Sequence, residues 1–194
     1  MKKLESTWYN MLAVLTIIAV VAGGALGYVN AKTFPLISEN ESKSEAAGVI
    51  EVLKADNVDV QRKDTLNQCI VYRTDKGIAV KSEDGNAFGG TLTILVGFDY
   101  EGTILGYKIL KTKETPGLGA KADKWFQEGA KGNIIGMSPK TNNMTVSKDG
   151  GDVDAITAST ITSRAFLRAV NSAYAAMNNS NEDVQSGATP QHNN

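Results

Sequence analysis

The first feature along the chain is an uninterrupted apolar run, MLAVLTIIAVVAGGALGYV, which covers residues 11–29. No charged residue occurs between Glu5 and Lys32. A helix rises about 1.5 Å per residue, so a run of this length spans close to the roughly 30 Å hydrocarbon core of a membrane. The pattern therefore predicts a single transmembrane helix over residues 11–29.

A cleavable signal peptide is the alternative explanation of this run. Residues 29–31, VNA, fit the small-residue pattern of a cleavage site. The apolar region of a signal peptide usually has about 7 to 15 residues, however. The run in this chain is longer and follows an acidic residue, Glu5, so we favour a retained membrane anchor.

The charges that flank the run predict its orientation. Lys2 and Lys3 precede it, whereas residues 32–45 carry charges of both signs. Positively charged flanks stay preferentially on the cytoplasmic side. We therefore expect residues 1–10 in the cytoplasm and the rest of the chain on the extracytoplasmic side of the cytoplasmic membrane.

Beyond the anchor, the pattern changes to that of an α+β domain. Residues 30–65 are predicted to form a membrane-proximal linker with a short helix at 45–53. The sequence DYEG at 99–102 predicts a turn between two strands. Three segments rich in β-branched and aromatic residues predict the strands of an antiparallel or mixed sheet, namely 66–74, 90–98 and 103–112.

Helices are predicted to flank this sheet. Residues 122–129 fit a helix that ends at Gly129. From Arg164 onward, apolar residues recur at helical spacing, which predicts a helix packed on a core. Residues 66–177 are thus predicted to form one domain, and the polar residues 178–194 a disordered tail. The apolar stripe consists of Phe166, Val170, Ala173, Tyr174 and Met177.

Composition narrows the chemistry that this chain can perform. Its formal net charge of -1 gives no bulk attraction to nucleic acid. The sequence has one cysteine, Cys69, and one histidine, His192, which excludes an internal disulfide and a metal site rich in these residues. We therefore expect no metal, and redox chemistry in this chain would need an organic cofactor.

One candidate for binding chemistry is KETPGLGAK at residues 113–121. Pro116 fixes its own φ and Gly117 tolerates a positive φ, a pair that favours a tight turn. Gly119 adds a second position where the backbone can approach a flat ligand closely. A plain turn before the next helix is the alternative interpretation.

The second candidate is DAITASTITSRAF at residues 154–166, which crowds five hydroxyl groups before a predicted helix. Ser and Thr favour helix starts, where a side-chain oxygen accepts from a free backbone N–H. A helix cap needs only one hydroxyl group, so capping does not explain all five. A helix start also favours the binding of a phosphate, and Arg164 would add a charged contact to it. The five candidates are Thr157, Ser159, Thr160, Thr162 and Ser163.

The order of these segments resembles that of a known family. An apolar anchor is followed by GGTLTILVGFD at 89–99, by KETPGLG at 113–119 and by DAITASTITSRA at 154–165. This order resembles the G subunit of the Rnf ion-translocating electron-transport complex. It is also similar to the C subunit of the sodium-pumping NADH:quinone reductase. The resemblance covers roughly residues 8–177.

The resemblance implies a covalently bound cofactor. In those families one FMN is attached by a phosphoester bond to the threonine that ends a D-x-x-[ST]-G-A-T motif. Thr160 matches that threonine, and Asp154 and Thr157 match the acid and the Ser/Thr of the motif. Ala158 and Ser159 replace its Gly-Ala. The remaining implied contacts are Arg164 in the continuation of the motif, and Thr115, Gly117 and Leu118 against the flavin ring.

A second match to the short motif lies in the tail. Residues 183–189 read DVQSGAT, which puts Thr189 in the acceptor position. Pro190 follows, and the Thr-Ser-Arg continuation is missing. We therefore favour Thr160 and keep Thr189 as the alternative attachment site.

The function that this resemblance implies is electron transfer between membrane redox subunits. The chain would be a redox subunit of a complex that moves Na+ or H+, with no catalytic site of its own, and a flavin transferase would attach its FMN. Three alternatives stay open: the quinone-reductase C subunit, a stand-alone membrane-anchored flavoprotein shuttle, and a colourless surface subunit with an anchor of the adhesion or pilin type.

Overall fold

The computed structural model describes residues 7–66 and 68–185. The chain divides into two units, Met1–Ser44 and Glu45–Asn194. The described part of the first unit is helical from Trp8 onward, within the helix α1, Trp8–Val52. The second unit contains the end of α1, a five-stranded sheet and two further helices.

Helix α1 contains the predicted span and continues beyond it. It is the one helix in the described part of the chain that is long and apolar enough to cross a membrane. Residues 30–44, which we predicted as a linker, are helical, and the short helix predicted at 45–53 is the end of α1. Residues 30–44 contain no glycine, and the helix continues through Pro35. An exposed ion pair one turn apart, with 2.7 Å between Lys43 Nζ and Glu39 Oε1, supports it.

The sheet is an antiparallel meander in the order β1-β2-β3-β4-β5. The predicted strands correspond to β2, β4 and β5, so the α+β fold class is confirmed. The two other strands were missed: β1 is an exposed edge strand of sequence VQRKDTL, and β3 carries a polar second half, so neither has a strong apolar pattern. The strands are Val60–Leu66, Cys69–Thr74, Ile78–Ala87, Gly90–Phe98 and Ile104–Lys111.

Both faces of the sheet are covered. Alternating strand residues such as Val80 and Val96 point into the larger core, which helix α3 closes, whereas Ala79 and Leu95 point into a smaller core. The last turn of α1 closes the smaller core by lying directly on two glycines. Gly97 and Gly106 face each other across β4 and β5, and a Cβ atom at Gly97 would collide with the carbonyl oxygen of Val52.

The segment between β5 and α3 differs in detail from its prediction. The helix expected at 122–129 is a single turn, α2, Ala122–Trp125. It ends early because Phe126 turns into the core, where its ring stacks on that of Phe166 at 4.2 Å and its carbonyl accepts from Ile134 N–H at 3.1 Å. The Tyr107 hydroxyl donates to the Ala122 carbonyl and so ties this turn to β5.

Helix α3 spans Thr160–Gln185, whereas the sequence predicted a helix from Arg164 to Met177. The predicted apolar stripe faces the larger core, with Phe166, Val170 and Ala173 fully buried. The early start matters for the site, since it puts Thr160 at the first helical position. Residues 178–185 of the predicted tail are helical, and the rest of the tail lies outside the described residues.

Candidate functional site

Three chain segments meet around one cavity of about 330 Å³ in the second unit. They are the β3–β4 turn, the segment that follows β5, and the start of α3. The two candidate segments of the sequence, 113–121 and 154–166, therefore meet in space, and the volume is typical of a small-molecule site. The cavity is lined by Phe88, Glu114, Thr115, Leu118, Gly119 and residues 158–162.

The start of α3 supplies polar groups to this cavity. The first backbone bond that follows the helical pattern runs from Ser163 N–H to the Ser159 carbonyl, at 3.0 Å. The amides of Thr160, Ile161 and Thr162 precede that bond and lie at the positive end of the helix. All three residues line the cavity, so this end of the helix is suited to an anionic group.

The five hydroxyl groups of this segment have different surroundings. Ser163 is buried and structural, because its Oγ accepts from Ile156 N–H at 2.9 Å and donates to the Ser159 carbonyl at 3.0 Å. Ser159 and Thr162 are buried beside the cavity, and Thr160 is half-buried there. Thr157 is exposed and does not line it.

Ala158 has the backbone conformation of a glycine. Its φ is 62°, in the left-handed region, at the position where the motif has glycine. A left-handed conformation costs a residue with a Cβ about 1 to 2 kcal/mol. The turn into α3 therefore has a left-handed residue at this position, a conformation that glycine adopts without a Cβ penalty.

Glu114 joins the other two segments. Its Oε1 accepts from the Gly89 N–H at 3.0 Å, which ties the β3–β4 turn to the segment after β5. Gly89 packs so closely on the backbone of Lys113 and Glu114 that a Cβ atom there would collide with it. Gly119 likewise leaves room for the Glu114 carboxylate and for Thr162.

The rest of the cavity wall is apolar and exposed. Phe88, Leu118 and Ile161 line it with 70%, 42% and 51% of their surfaces exposed. Among the described residues of the second unit, only Val60 and Tyr100 are other large hydrophobic side chains with comparable exposure. Exposed apolar side chains gathered at one place indicate a surface that another apolar group covers.

Several predicted site residues lie outside this cavity. Gly117, with φ of 78°, lines a neighbouring cavity of about 530 Å³ beside Trp125. Asp154 accepts from the Ser147 hydroxyl at 3.0 Å, and its carbonyl accepts from the Trp125 indole at 2.8 Å. The cavity brings together four of the predicted cofactor contacts, Thr115, Leu118, Ser159 and Thr160, with Gly119 and Thr162 of the two candidate segments.

Arg164 is also directed elsewhere. Its Nε and one terminal nitrogen donate to the two carboxylate oxygens of Asp149, at 2.6 and 2.7 Å. The guanidinium lowers the pKa of Asp149, and the carboxylate in turn raises the pKa of Arg164. The contact of Arg164 with a phosphate stays a prediction.

Sequence reasoning missed three lining residues, Phe88, Glu114 and Ile161, and it named Thr162 only as one of five candidate hydroxyl groups. Phe88 precedes two glycines at a turn, and Glu114 lies inside KETPGLG, so both had a local signal. Thr189, the alternative attachment site, lies outside the described residues. In the described ranges, no group of His, Cys, Asp and Glu side chains is arranged to hold a metal.

Comparison with known proteins places the chain in a family. The G subunit of the ion-translocating oxidoreductase complex of Yersinia pestis is 30% identical over an alignment of 182 positions, and the match covers 82% of this chain and 85% of that protein. The chain belongs to the family of G subunits of ion-translocating oxidoreductase complexes.

Other G subunits of this family match in the same way. The Salmonella typhi protein is 30% identical over an alignment of 178 positions, and the match covers 82% of this chain and 85% of that protein. The Vibrio parahaemolyticus protein is 36% identical over 115 residues, 56% of this chain and 53% of that protein. A family model described as FMN-binding domain matches residues 87–175. That range begins beside Phe88 and includes all three segments that line the cavity.

Proposed function

We propose that this chain is the electron-transfer flavoprotein subunit of a membrane complex that couples redox reactions to the movement of Na+ or H+. One observation carries the proposal. The two sequence segments that resemble flavin-binding motifs lie far apart in the chain, yet they line one cavity at a helix start, within the match to the FMN-binding domain.

The residues around the cavity suit FMN. The free amides at the start of α3 and the positive end of the helix favour its phosphate. Leu118, Ile161 and Phe88 are exposed apolar side chains. The flat ring system of the flavin would pack on them and cover their apolar surface. The bound FMN would accept and pass on electrons, and the part of the protein would be to hold and orient it.

Thr160 is the residue that we propose to carry the FMN. It is the first residue of α3 and lines the cavity half-buried, so its hydroxyl lies beside the amides that would receive a phosphate. A phosphoester bond would retain the cofactor outside the cell, where a diffusible one would be lost. We expect a flavin transferase to form this bond.

The other subunits of the complex would carry out ion movement. The described chain offers one apolar span, and residues 6–31 contain no charged side chain that could relay an ion. We propose that α1 anchors the chain in the cytoplasmic membrane, with residues 1–10 inside and the cavity on the extracytoplasmic side. In a chain whose native thiol is removed by Cys69→Ala, Lys140→Cys at an exposed position should react with an impermeant maleimide in intact cells, and labelling only after lysis would reverse this orientation.

The experiment that tests the cofactor is in-gel fluorescence of the denatured full chain, followed by mass mapping of its tryptic peptides. Flavin on Thr160 adds the mass of an FMN phosphoester to peptide 149–164, whereas flavin on Thr189 adds it to peptide 169–194. Thr160→Ala should abolish the fluorescence, and Thr141→Ala, an exposed control on another surface, should keep it. Loss of signal in Thr189→Ala alone would move the attachment to the tail.

The same preparation tests the alternatives. A colourless denatured chain without added mass would favour an anchored surface subunit without redox function. A flavinylated chain that purifies without multispanning partners would favour a stand-alone shuttle.

A further inference from the structure

Glu114 is the acidic residue that lines the proposed FMN cavity, and its surroundings are unusual for a carboxylate. The residue is only 9% exposed. In the part of the chain that the structure describes, no lysine or arginine forms an ion pair with it. Acidic side chains are rarely buried without a partner, because burial removes the water that would otherwise solvate the carboxylate.

The two carboxylate oxygens of Glu114 have different roles. Oε1 accepts the hydrogen bond from Gly89 N–H, as described above. No described residue donates a hydrogen bond to Oε2, and this atom is accessible from outside the protein. Oε2 is therefore the part of the side chain that faces the cavity.

The fold makes room for this oxygen. Oε2 lies where a side chain at Gly119 would begin, and the same Cβ position is 2.8 Å from the Thr162 hydroxyl oxygen. Any larger residue at 119 would displace the carboxylate. The buried acid, the glycine beside it and the hydroxyl thus form one arrangement at the cavity wall.

We propose that Glu114 sets the reduction potential of the bound FMN, holding it lower than a neutral wall would. This inference rests on the proposed function. A reduced redox centre in one neighbouring subunit would deliver an electron to the FMN, which adds negative charge beside Glu114. An oxidised redox centre in another subunit would then accept that electron. A fixed negative charge in a partly buried site opposes that gain of charge, since Coulomb interactions are stronger there than in water.

Oε2 also acts as a hydrogen-bond acceptor toward the cofactor. Flavin carries donors on its ring and on its ribityl chain, and a carboxylate accepts strongly from either. Glu114 therefore positions the cofactor and also exerts an electrostatic field on it. Replacing Glu114 with glutamine keeps the shape and an acceptor for Gly89, but it removes the charge and puts a donating NH2 group in the place of Oε2, so Glu114→Gln tests the two contributions together.

The test is a spectroelectrochemical titration of the flavinylated full chain in detergent. Glu114→Gln and Glu114→Ala should each shift the midpoint potential to a more positive value. Glu114→Asp, which keeps the charge, should stay close to the parent chain. Glu101→Gln removes an acid from an exposed turn away from the cavity and should leave the potential unchanged.

The outcomes separate this inference from the proposed function. A parent chain without flavin refutes the function itself. The neutral variants are Glu114→Gln and Glu114→Ala. If either carries flavin and has an unchanged or more negative midpoint potential, the role of Glu114 is refuted. If only one of the two folds, the potential of that variant decides. Folded neutral variants that take up no flavin, beside a flavinylated Glu114→Asp, would also overturn the inference, because the charge would then serve binding.

Discussion

Ser163 closes the turn that leads into α3 by accepting a hydrogen bond from the Ile156 N–H at 2.9 Å. Ile156 is buried, so its amide needs a partner inside the protein. The Ser163 hydroxyl, which also donates to the Ser159 carbonyl, thus holds the loop in place, while Thr160 on the same turn lines the cavity. Neighbouring hydroxyl groups in this segment therefore differ: Ser163 is structural, whereas Thr160 lines the cavity and is the residue that we propose to carry the FMN.

The substitution Ser163→Ala should lower the free energy of unfolding by about 1 to 3 kcal/mol, because it leaves the buried Ile156 amide without an acceptor. Thermal or urea unfolding of the full chain in detergent measures this change. Ser172→Ala, at an exposed position of the same helix, is the control and should be neutral or slightly stabilising. Equal stability of the two variants would contradict the role of Ser163.

The substitution Ala158→Gly should stabilise the chain by about 1 kcal/mol, because glycine adopts the φ of 62° without a Cβ penalty. The fraction of chain that carries flavin should not fall, since the substitution restores the glycine of the motif. Ala155→Gly, three residues earlier, packs against the larger core and should destabilise. A less stable Ala158→Gly variant would show that the left-handed turn is not formed.

The substitution Gly97→Ala should destabilise the second unit by about 1 to 3 kcal/mol, because the added methyl group meets the Val52 carbonyl and forces the last turn of α1 off the sheet. Gly85→Ala adds the same methyl group where no atom lies within 4 Å, and it should have little effect. A comparison of their unfolding midpoints tests the packing of α1 on the sheet. Similar midpoints would argue against that contact.

The pair of Asp84 and Arg168 should make stability depend on acid pH. Burial of Asp84 favours its neutral form, but the two bonds from Arg168 and one from the Asn86 amide outweigh this effect and lower its pKa. The stabilisation is therefore present above the unfolded pKa of about 3.9 and is lost as the pH falls through the folded value. Asp84→Asn should flatten the decline of the unfolding temperature below about pH 4. A decline parallel to that of the parent chain would refute this.

The substitution Phe88→Ala should leave the free energy of unfolding within about 0.5 kcal/mol of the parent chain, since the side chain is 70% exposed. It removes part of the cavity wall, however, so iodide should quench the fluorescence of the bound flavin more strongly. Val60→Ala, on the edge strand β1, is the matched control. Unchanged quenching in Phe88→Ala would mean that Phe88 does not cover the flavin.

The predictability of each element followed the strength of its local pattern. The β-branched runs of β2, β4 and β5 and the apolar stripe of α3 were predicted because each follows the period of its element. The strand β1 was missed, since its charged residues show no period and it is held mainly by pairing with β2. The end of α2 was misplaced for a related reason: Phe126 turns into the core to stack on Phe166, a contact that no local pattern records.

The sequence by itself determined the membrane anchor, the α+β class and the two segments that carry the candidate chemistry, because each depends on the composition or the period of neighbouring residues. The tertiary structure alone decided which side chains of those segments share a cavity. It brought Glu114 and Phe88 to Thr160 and tied Arg164 to Asp149 instead. These relations join residues far apart in the chain, and they arise from packing and hydrogen bonding that form only when the sheet and α3 come together.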